Sequence, residues 1–226
     1  MDTRHQSGFT LWELLITLLV AGILVGIGVP NVRDAQRNSA MSSATNDLIT
    51  ALLAAKAEAV KRRVPVTLCA SPDPTAANPV CSQTGAGANG GFIVWVDENG
   101  NLDPNKTPIL TDATDGNAVV DPNEPILMRS AAQPSMAPAG TLRIFANSGY
   151  IVFGGNGWPL PTIPGPPYLT WILYCDDRGN GHGSGGPTFS TARAIRVDTT
   201  GRGSVQTEQA DITNALAQIG GGASCP

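Results

Sequence analysis

The sequence has few of the residues and motifs on which enzymes depend. Its 226 residues include two histidines, His5 and His182, and contain no G-x-S-x-G, H-E-x-x-H or phosphate-cradling glycine loop. His182 stands in the run GNGHGSGG, which is too flexible to hold a catalytic base, and no second titratable partner is suggested for it. We therefore expect no enzymatic activity and no cofactor.

Metal-binding cysteine motifs are also missing. Cys69, Cys81, Cys175 and Cys225 form no C-x-x-C pair and have no histidine at metal-ligand spacing, so no metal site is expected. An even number of cysteines after an apolar N-terminal segment favours two disulfides in an oxidising compartment. The nearest-neighbour pairing, Cys69–Cys81 with Cys175–Cys225, is one of three connectivities, and buried free thiols are the alternative.

The chain lacks an excess of positive charge. Fourteen Lys and Arg against 18 Asp and Glu give a net charge of −4, which removes a general attraction to nucleic acid. Glycine (26) and proline (18) are abundant, while 42% apolar residues can still supply a core. These values predict one globular domain rich in loops.

One long apolar run is present. Residues 9–29 are apolar, small or hydroxyl-bearing except for Glu13, and a helix of that length can cross a bilayer core of about 30 Å. An unpaired carboxylate in hydrocarbon costs several kcal/mol, so Glu13 needs either a partner or a place near the interface where it reaches water. The small-residue cleavage site of an ordinary secretory signal is missing after the run.

The start of this run resembles a known processing signal. GFTLWE (8–13) closely matches the G-F-T-L-x-E signature of type IV prepilins and type II secretion pseudopilins. The resemblance implies that a prepilin peptidase cuts after Gly8, removing a leader (1–8), and methylates Phe9. It also implies that Glu13 faces the terminal amine of a neighbouring subunit, as the physics of paired charges allows.

The membrane or assembly helix (9–30) is expected to continue into the domain. Pro30 matches the position where pilins commonly carry a helix-bending proline, and a kink or local melting is predicted near Gly26 to Pro30. Beyond it, residues 31–63 show the apolar spacing of an amphipathic helix, which Arg62-Arg63-Val64-Pro65 should end. The apolar positions are Met41, Ala44, Leu48, Leu52, Ala55 and Ala59.

Residues 64–226 read as a β-rich domain. Turn-forming segments separate seven candidate strands, namely Val64–Cys69, Phe92–Val96, Leu142–Ala146, Tyr150–Phe153, Trp171–Cys175, Ala192–Asp198 and Ser204–Thr207. Loops rich in proline, glycine and asparagine are expected over Asp97–Gln133, Gly154–Thr170 and Gly179–Thr188. The predicted fold class is α+β, with the long N-terminal helix packed on antiparallel sheet.

Later segments of the sequence indicate one branch of the pilin and pseudopilin family. VTLC (66–69), FIVWVDENG (92–100) and ARAIRVDTTGR (192–202) look like the GspH/FimT/FimU branch of minor pilins and pseudopilins. That likeness implies a single-pass protein of the bacterial inner membrane with a periplasmic domain, which then enters a pilus or pseudopilus. Implied partners are other major and minor pilins or pseudopilins, the peptidase and the inner-membrane assembly platform. The function that the likeness implies is that of a minor pilin in the assembly, initiation or tip of a type IV pilus, and the alternative is the H pseudopilin of a type II secretion system.

Two binding hypotheses remain beside the assembly role. Asp97, Asn99, Asn101 and Asp103 alternate like calcium ligands, but the glycine is misplaced, no glutamate closes the loop, and Asn99-Gly100 favours a hairpin turn. The other hypothesis is a pilus DNA receptor.

The candidate DNA contacts are Arg193, Arg196 and Arg202. Certain FimT-type pilins bind DNA through a glycine-arginine motif with a second arginine two residues on. Here Gly201-Arg202 is followed by Gly203-Ser204, so the second arginine is missing. The remaining cations offer weak, salt-sensitive phosphate contact at most, and nucleic acid is not the expected partner.

Overall fold

A computed structural model describes residues 10–81, 91–96, 120, 124–131, 143–146, 150–160, 170–179, 181, 186, 188–219 and 225. The first element is helix α1, Leu11–Arg62, whose 52 residues extend for about 78 Å. The α-helix continues through residues 26–30, so the prediction of local melting near Pro30 is wrong, and the kink stays a prediction. Proline removes a single backbone donor, which a helix anchored over so many further turns tolerates.

The second half of α1 is amphipathic, as its sequence predicts. Met41, Ala44, Leu48, Leu52, Ala55 and Ala59 are all buried, at spacings of three and four residues. The exposed positions between them are polar at Ser42, Asn46 and Thr50 and apolar at Leu53 and Ala57. This half of the helix is therefore a core element of the domain.

Within the described residues, eight strands form two antiparallel four-stranded sheets. The first sheet has the order β3-β2-β1-β5 and the second β4-β6-β7-β8. The strands are β1 Val66–Ser71, β2 Gly91–Val96, β3 Ile126–Ala131, β4 Arg143–Ala146, β5 Tyr150–Phe153, β6 Thr170–Cys175, β7 Phe189–Val197 and β8 Gly203–Glu208, and helix α2, Gln209–Ile219, follows. The α+β prediction is confirmed.

All seven predicted strands are present, β5 with the predicted ends and the others with shifted ends, but β3 was missed. It lies inside the predicted loop Asp97–Gln133. No strand was predicted there because ILMRSA has no clear alternation of apolar and polar residues. Pairing with β2 makes this segment a strand, from Gly91 opposite Ala131 to Trp95 opposite Ile126. A contact between segments that are distant in sequence has overridden a weak local signal.

Helix α1 lies in a core shared by both sheets. Its buried side chains pack against Leu68, Val94 and Phe153 of the first sheet and against Ile172, Tyr174 and Ile195 of the second. Burial raises the pKa of the Tyr174 hydroxyl, and the negative charge of Asp47 adds to the shift. The outer face of the second sheet is covered by α2, through Ile212 and Ala215.

The free edge of β5 is closed by its own chain. Residues 154–160 turn back along the strand, where Leu160 N–H donates to the Val152 carbonyl (2.8 Å) and Gly154 N–H donates to the Trp158 carbonyl (2.9 Å). Gly155 lies so close to the backbone of Arg63 that a Cβ there would come within 2.7 Å of the Arg63 carbonyl carbon. The turn is thus seated on the C-terminal end of α1.

The C-cap of α1 yields a stability prediction. Arg63 adopts a left-handed conformation with φ 58°, where most helices place glycine. Arg63→Gly is expected to raise the free energy of unfolding by about 0.5–1 kcal/mol, since relief of the strain exceeds the added chain entropy. Chemical denaturation of the purified chain in detergent measures this change.

The neighbouring residue provides the control. Arg62 is helical and its Nε donates to Glu58 Oε2 (2.8 Å), so Arg62→Gly should lower the unfolding free energy by about 1 kcal/mol or more. Equal destabilisation by both glycines would show that the left-handed conformation at Arg63 carries no strain.

Candidate functional site

The first half of α1 presents apolar side chains that its own domain does not cover. From Leu11 to Val29 the large apolar side chains are 41–76% exposed. Within the described residues, one helix is long and apolar enough to cross a membrane, and its best window of 18 residues has a mean hydropathy of 2.3. This segment needs apolar surroundings from outside the chain.

Glu13 has partners within the chain, at the start of the helix. Thr10 is the N-cap, and its backbone N–H (3.0 Å) and its hydroxyl (2.9 Å) both donate to Glu13 Oε2. The Glu13 N–H donates in return to Thr10 Oγ1 (3.3 Å), which completes a capping box. Sequence reasoning missed this pairing, although the T-x-x-E spacing before an apolar run is its usual signal.

Several predicted positions fall outside the described residues. These are His5, Gly8 and Phe9 at the N-terminus, the calcium candidates Asp97, Asn99, Asn101 and Asp103, and His182. Pro30 lies within α1, and its side chain is not described. Among the described residues, no group of three or more His, Cys, Asp or Glu could hold a metal ion.

Hydrogen bonds and ion pairs join α1 to the turn after β6. Arg37 donates to Asp177 Oδ2 (2.8 Å), and Arg178 donates to Asn38 Oδ1 (2.9 Å) while pairing with the buried Asp176. The partners are 140 residues apart in sequence, so no local pattern predicts them. They join α1 to the domain just before the helix enters the core.

All four cysteines are in disulfides. Cys69 is bonded to Cys81 across a separation of 12 residues, and this pairing is confirmed. Cys175 is bonded to Cys225 across 50 residues, with a Cα–Cα distance of 5.4 Å. Cys225 also packs with the apolar residues between α2 and the second sheet, so the bond holds the last part of the chain against this core.

The first of the three candidate DNA-binding arginines, Arg193, makes contacts within the fold. The register between β7 and β8 shifts between Phe189 and Ala194, and Arg193 donates there to the carbonyls of Ser190 (2.8 Å) and Ala192 (3.0 Å). Burial lowers the pKa of Arg193, and the charge of Arg178 lowers it further. Arg193 therefore stabilises an irregular strand.

The remaining two arginines lie near the other end of β7. The Arg196 guanidinium stands 5.9 Å from the ring centroid of Trp171, a cation–π distance. Arg202 is exposed and its backbone N–H donates to Asp198 Oδ1 (2.9 Å). Hydrogen bonds from Thr200 and Arg202 hold the pKa of Asp198 below its usual range. The bonds to Asp198 build the turn between β7 and β8. Arg196 and Arg202 are both exposed, and weak phosphate contact by them stays a prediction.

Two family models and a known protein match parts of this chain. The family model for type II transport protein GspH matches residues 44–201, and that for the prokaryotic N-terminal methylation motif matches residues 3–29. Type II secretion system core protein G of Aeromonas hydrophila is 35% identical over 49 residues, which are 22% of this chain and 34% of that protein.

Solved structures of one protein are also similar. Two crystal forms of the type IV minor pilin FimU of Pseudomonas aeruginosa align with TM-scores of 0.40 and 0.39, at 18% and 17% identity. The alignments cover 74% and 73% of this chain, and 87% and 91% of the FimU chains. Since the GspH model alone spans well over half of the sequence, the chain belongs to the GspH family, a pilin-like family, and carries its methylation motif at the N-terminus.

Proposed function

We propose that this chain is a minor pilin that is cut after Gly8, methylated at Phe9 and built into a type IV pilus, in its initiation complex or tip. One observation carries the proposal. The methylation motif (3–29) coincides with an apolar helical segment that the domain leaves uncovered and that holds a single carboxylate, Glu13. A subunit with such a segment fits assembly with other pilins, and the pilin family is structural rather than enzymatic.

The same features support a second candidate, the H pseudopilin of a type II secretion system. The family description and the likeness to secretion core protein G both favour it. The two candidates share the processing, the anchor and the domain. Neighbouring genes for pilus subunits or for secretion components distinguish them.

The capping box suggests how Glu13 serves both folding and assembly. Both bonds from Thr10 go to Oε2. A carboxylate has about four lone-pair positions, which leaves acceptor capacity for the methylated ammonium of a neighbouring subunit's Phe9. Removing both charges from water is tolerable only when they are paired, so assembly would place the incoming amine against Glu13.

Topology and partners complete the proposal. The subunit would pass once through the bacterial inner membrane with its C-terminal domain in the periplasm, an oxidising compartment that suits its disulfides. The prepilin peptidase and the inner-membrane assembly platform would act on it before other pilins bind it.

The role of Glu13 can be tested with a charge-specific substitution. Glu13→Gln can keep the capping box, because glutamine also accepts from the N-cap, but it removes the charge. Incorporation into filaments should fall at least tenfold while the domain keeps its unfolding temperature. Crosslinking yield to the major pilin, measured on cells with equal amounts of processed protein, reports incorporation.

Thr10→Ala is the matched control. It removes the capping hydroxyl and retains the carboxylate, so it should weaken the helix start by about 1 kcal/mol and leave incorporation nearly unchanged. If Thr10→Ala were as defective as Glu13→Gln, the capping box rather than the charge between subunits would explain the requirement for Glu13.

A further inference from the structure

The solvent-facing side of α1 changes character along its length. Ser42, Asn46 and Thr50 lie exposed on this side, at spacings of four residues. Further along the same side the exposed residues are Leu53, Ala57 and Val60, and Leu53 and Val60 are 57% and 49% exposed. We call these three residues the distal stripe. The helix therefore turns an apolar surface outward where a soluble domain would place polar residues.

An exposed tryptophan follows a glycine that packs on the distal stripe. Gly157 packs so closely on Val60 that a Cβ at Gly157 would stand 2.7 Å from Val60 Cγ2, which places the next residue, Trp158, beside the stripe. Trp158 is 56% exposed. Its backbone is fixed, since its N–H donates to Asn156 Oδ1 (3.0 Å) and its carbonyl accepts from Gly154. The indole is thus presented by a turn that is already ordered.

The end of the stripe has a positive border. Lys61, Arg62 and Arg63 are exposed and follow directly, and Glu58 is the acidic residue among them. Glu58 accepts hydrogen bonds from both Lys61 and Arg62. These bonds lower the pKa of Glu58, and the bond from Arg62 has the larger effect. Three cations against one carboxylate form a local positive patch on a chain whose net charge is −4.

We propose that the distal stripe and Trp158 bind a neighbouring pilin-like subunit of the same filament, through an apolar patch bordered by carboxylates. The proposal rests on the filament role given above. Tryptophan and arginine are enriched among residues that dominate binding energy, and a side chain held by an ordered backbone loses little entropy on binding. Carboxylates on the partner would complement the positive border.

Geometry and charge favour this occupant over the membrane and over a second copy. Val60 lies 31 residues after Val29, which is about 46 Å along the helix axis, so a bilayer around residues 11–29 does not reach it. Two copies anchored in one membrane would lie parallel, and a symmetric parallel pair joined through this surface would bring the two positive borders of Lys61, Arg62 and Arg63 together. Like charges facing each other oppose such a dimer.

Site-specific photo-crosslinking in the native cell tests the inference. A photoreactive amino acid replaces Ala57 in the full-length chain, and a matched chain carries it at Asn46, on the polar part of the same helix side. The Ala57 position should give an adduct whose partner peptide, identified by mass spectrometry, belongs to a different pilin-like subunit and contains Asp or Glu. The adduct from Asn46 should be at least fivefold weaker.

Substitutions at the border and at the indole sharpen the test. Trp158→Ala should reduce the Ala57 adduct about tenfold or more, and Trp158→Phe should retain most of it. Lys61→Glu should reduce the adduct severalfold, whereas Lys61→Arg should not. The fold is expected to survive each change, because the indole is more than half exposed and the hydrogen bonds of residue 158 are made by its backbone.

The outcomes separate this inference from the filament role. An adduct with lipid or with a second copy, or an Ala57 signal no stronger than that from Asn46, overturns the docking surface. If Phe9 is methylated and a crosslinker at Ile16 captures pilins while Ala57 captures none, the docking surface fails and the filament role stands. If Phe9 is unprocessed and neither position captures a pilin, both proposals fail.

Discussion

A chain in which Gly8 is replaced by valine is expected to stay uncut, with its leader attached, and to be excluded from filaments altogether. Gly8 and Phe9 stand at the junction on which the resemblance to prepilins depends, within the matched methylation motif (3–29). An uncut chain would begin at Met1, eight residues before Phe9, and would carry the charged Asp2 and Arg4 ahead of the apolar segment. No ammonium group would then arise at Phe9 to meet a Glu13 carboxylate.

Mass spectrometry of the purified protein measures this effect directly. The natural chain should begin at an N-methylated Phe9, and the Gly8→Val chain should keep Met1. Ser7→Val is the matched control, because it places the same valine side chain one residue away and should still be processed. An intact Met1 in the natural protein, or a cut beyond Val29, would contradict the pilin assignment of this N-terminus.

Removal of the Cys175–Cys225 bond should produce the largest loss of stability, up to about 4 kcal/mol in the chain-entropy model. The bond closes a loop with a sequence separation of 50 residues. It ties the chain beyond α2 to β6, after the three consecutive glycines 220–222. Without it the unfolded chain gains freedom and the packing of α2 on the second sheet loses its covalent anchor. Cys225→Ser is the suitable change, since Cys175 is fully buried and a hydroxyl there would add a separate penalty.

The other disulfide provides a matched comparison. Cys81→Ser opens a loop with a separation of 12 residues, for which the same model gives about 3 kcal/mol. Denaturant unfolding of both variants should therefore rank Cys225→Ser as the more destabilised. Non-reducing peptide mapping must recover peptides that join Cys175 to Cys225, and peptides joining Cys69 to either of these would refute the pairing.

Local patterns in the sequence predict most of the fold. The buried positions of α1 and the seven recognised strands follow from apolar spacing and from the turn residues between them. Strand β3 could not be predicted, because Ile126–Ala131 becomes a strand only through its neighbour β2. The contact of Arg37 with Asp177 was equally hidden, since it joins groups 140 residues apart.

The candidate site was predicted less completely than the fold. The signature around Glu13 located the assembly segment and predicted a partner in another subunit. The hydrogen bonds from Thr10 to Glu13 within the chain were not predicted. Arg193 was named as a candidate DNA contact, but it lies at the register shift between β7 and β8 and donates to the carbonyls of Ser190 and Ala192. The distal stripe was overlooked because Leu53 and Val60 read as part of an ordinary amphipathic helix until the buried side was known.

The position of α1 between the two sheets has a mechanical consequence. A pull on the apolar segment acts along the helix axis, and the side chains from Met41 to Ala59 contact both sheets over about 27 Å of that axis. Such a pull shears all of these contacts together, whereas a force across the axis would separate them one after another. The subunit should therefore resist tension along a filament much better than it resists peeling of its helix from the domain.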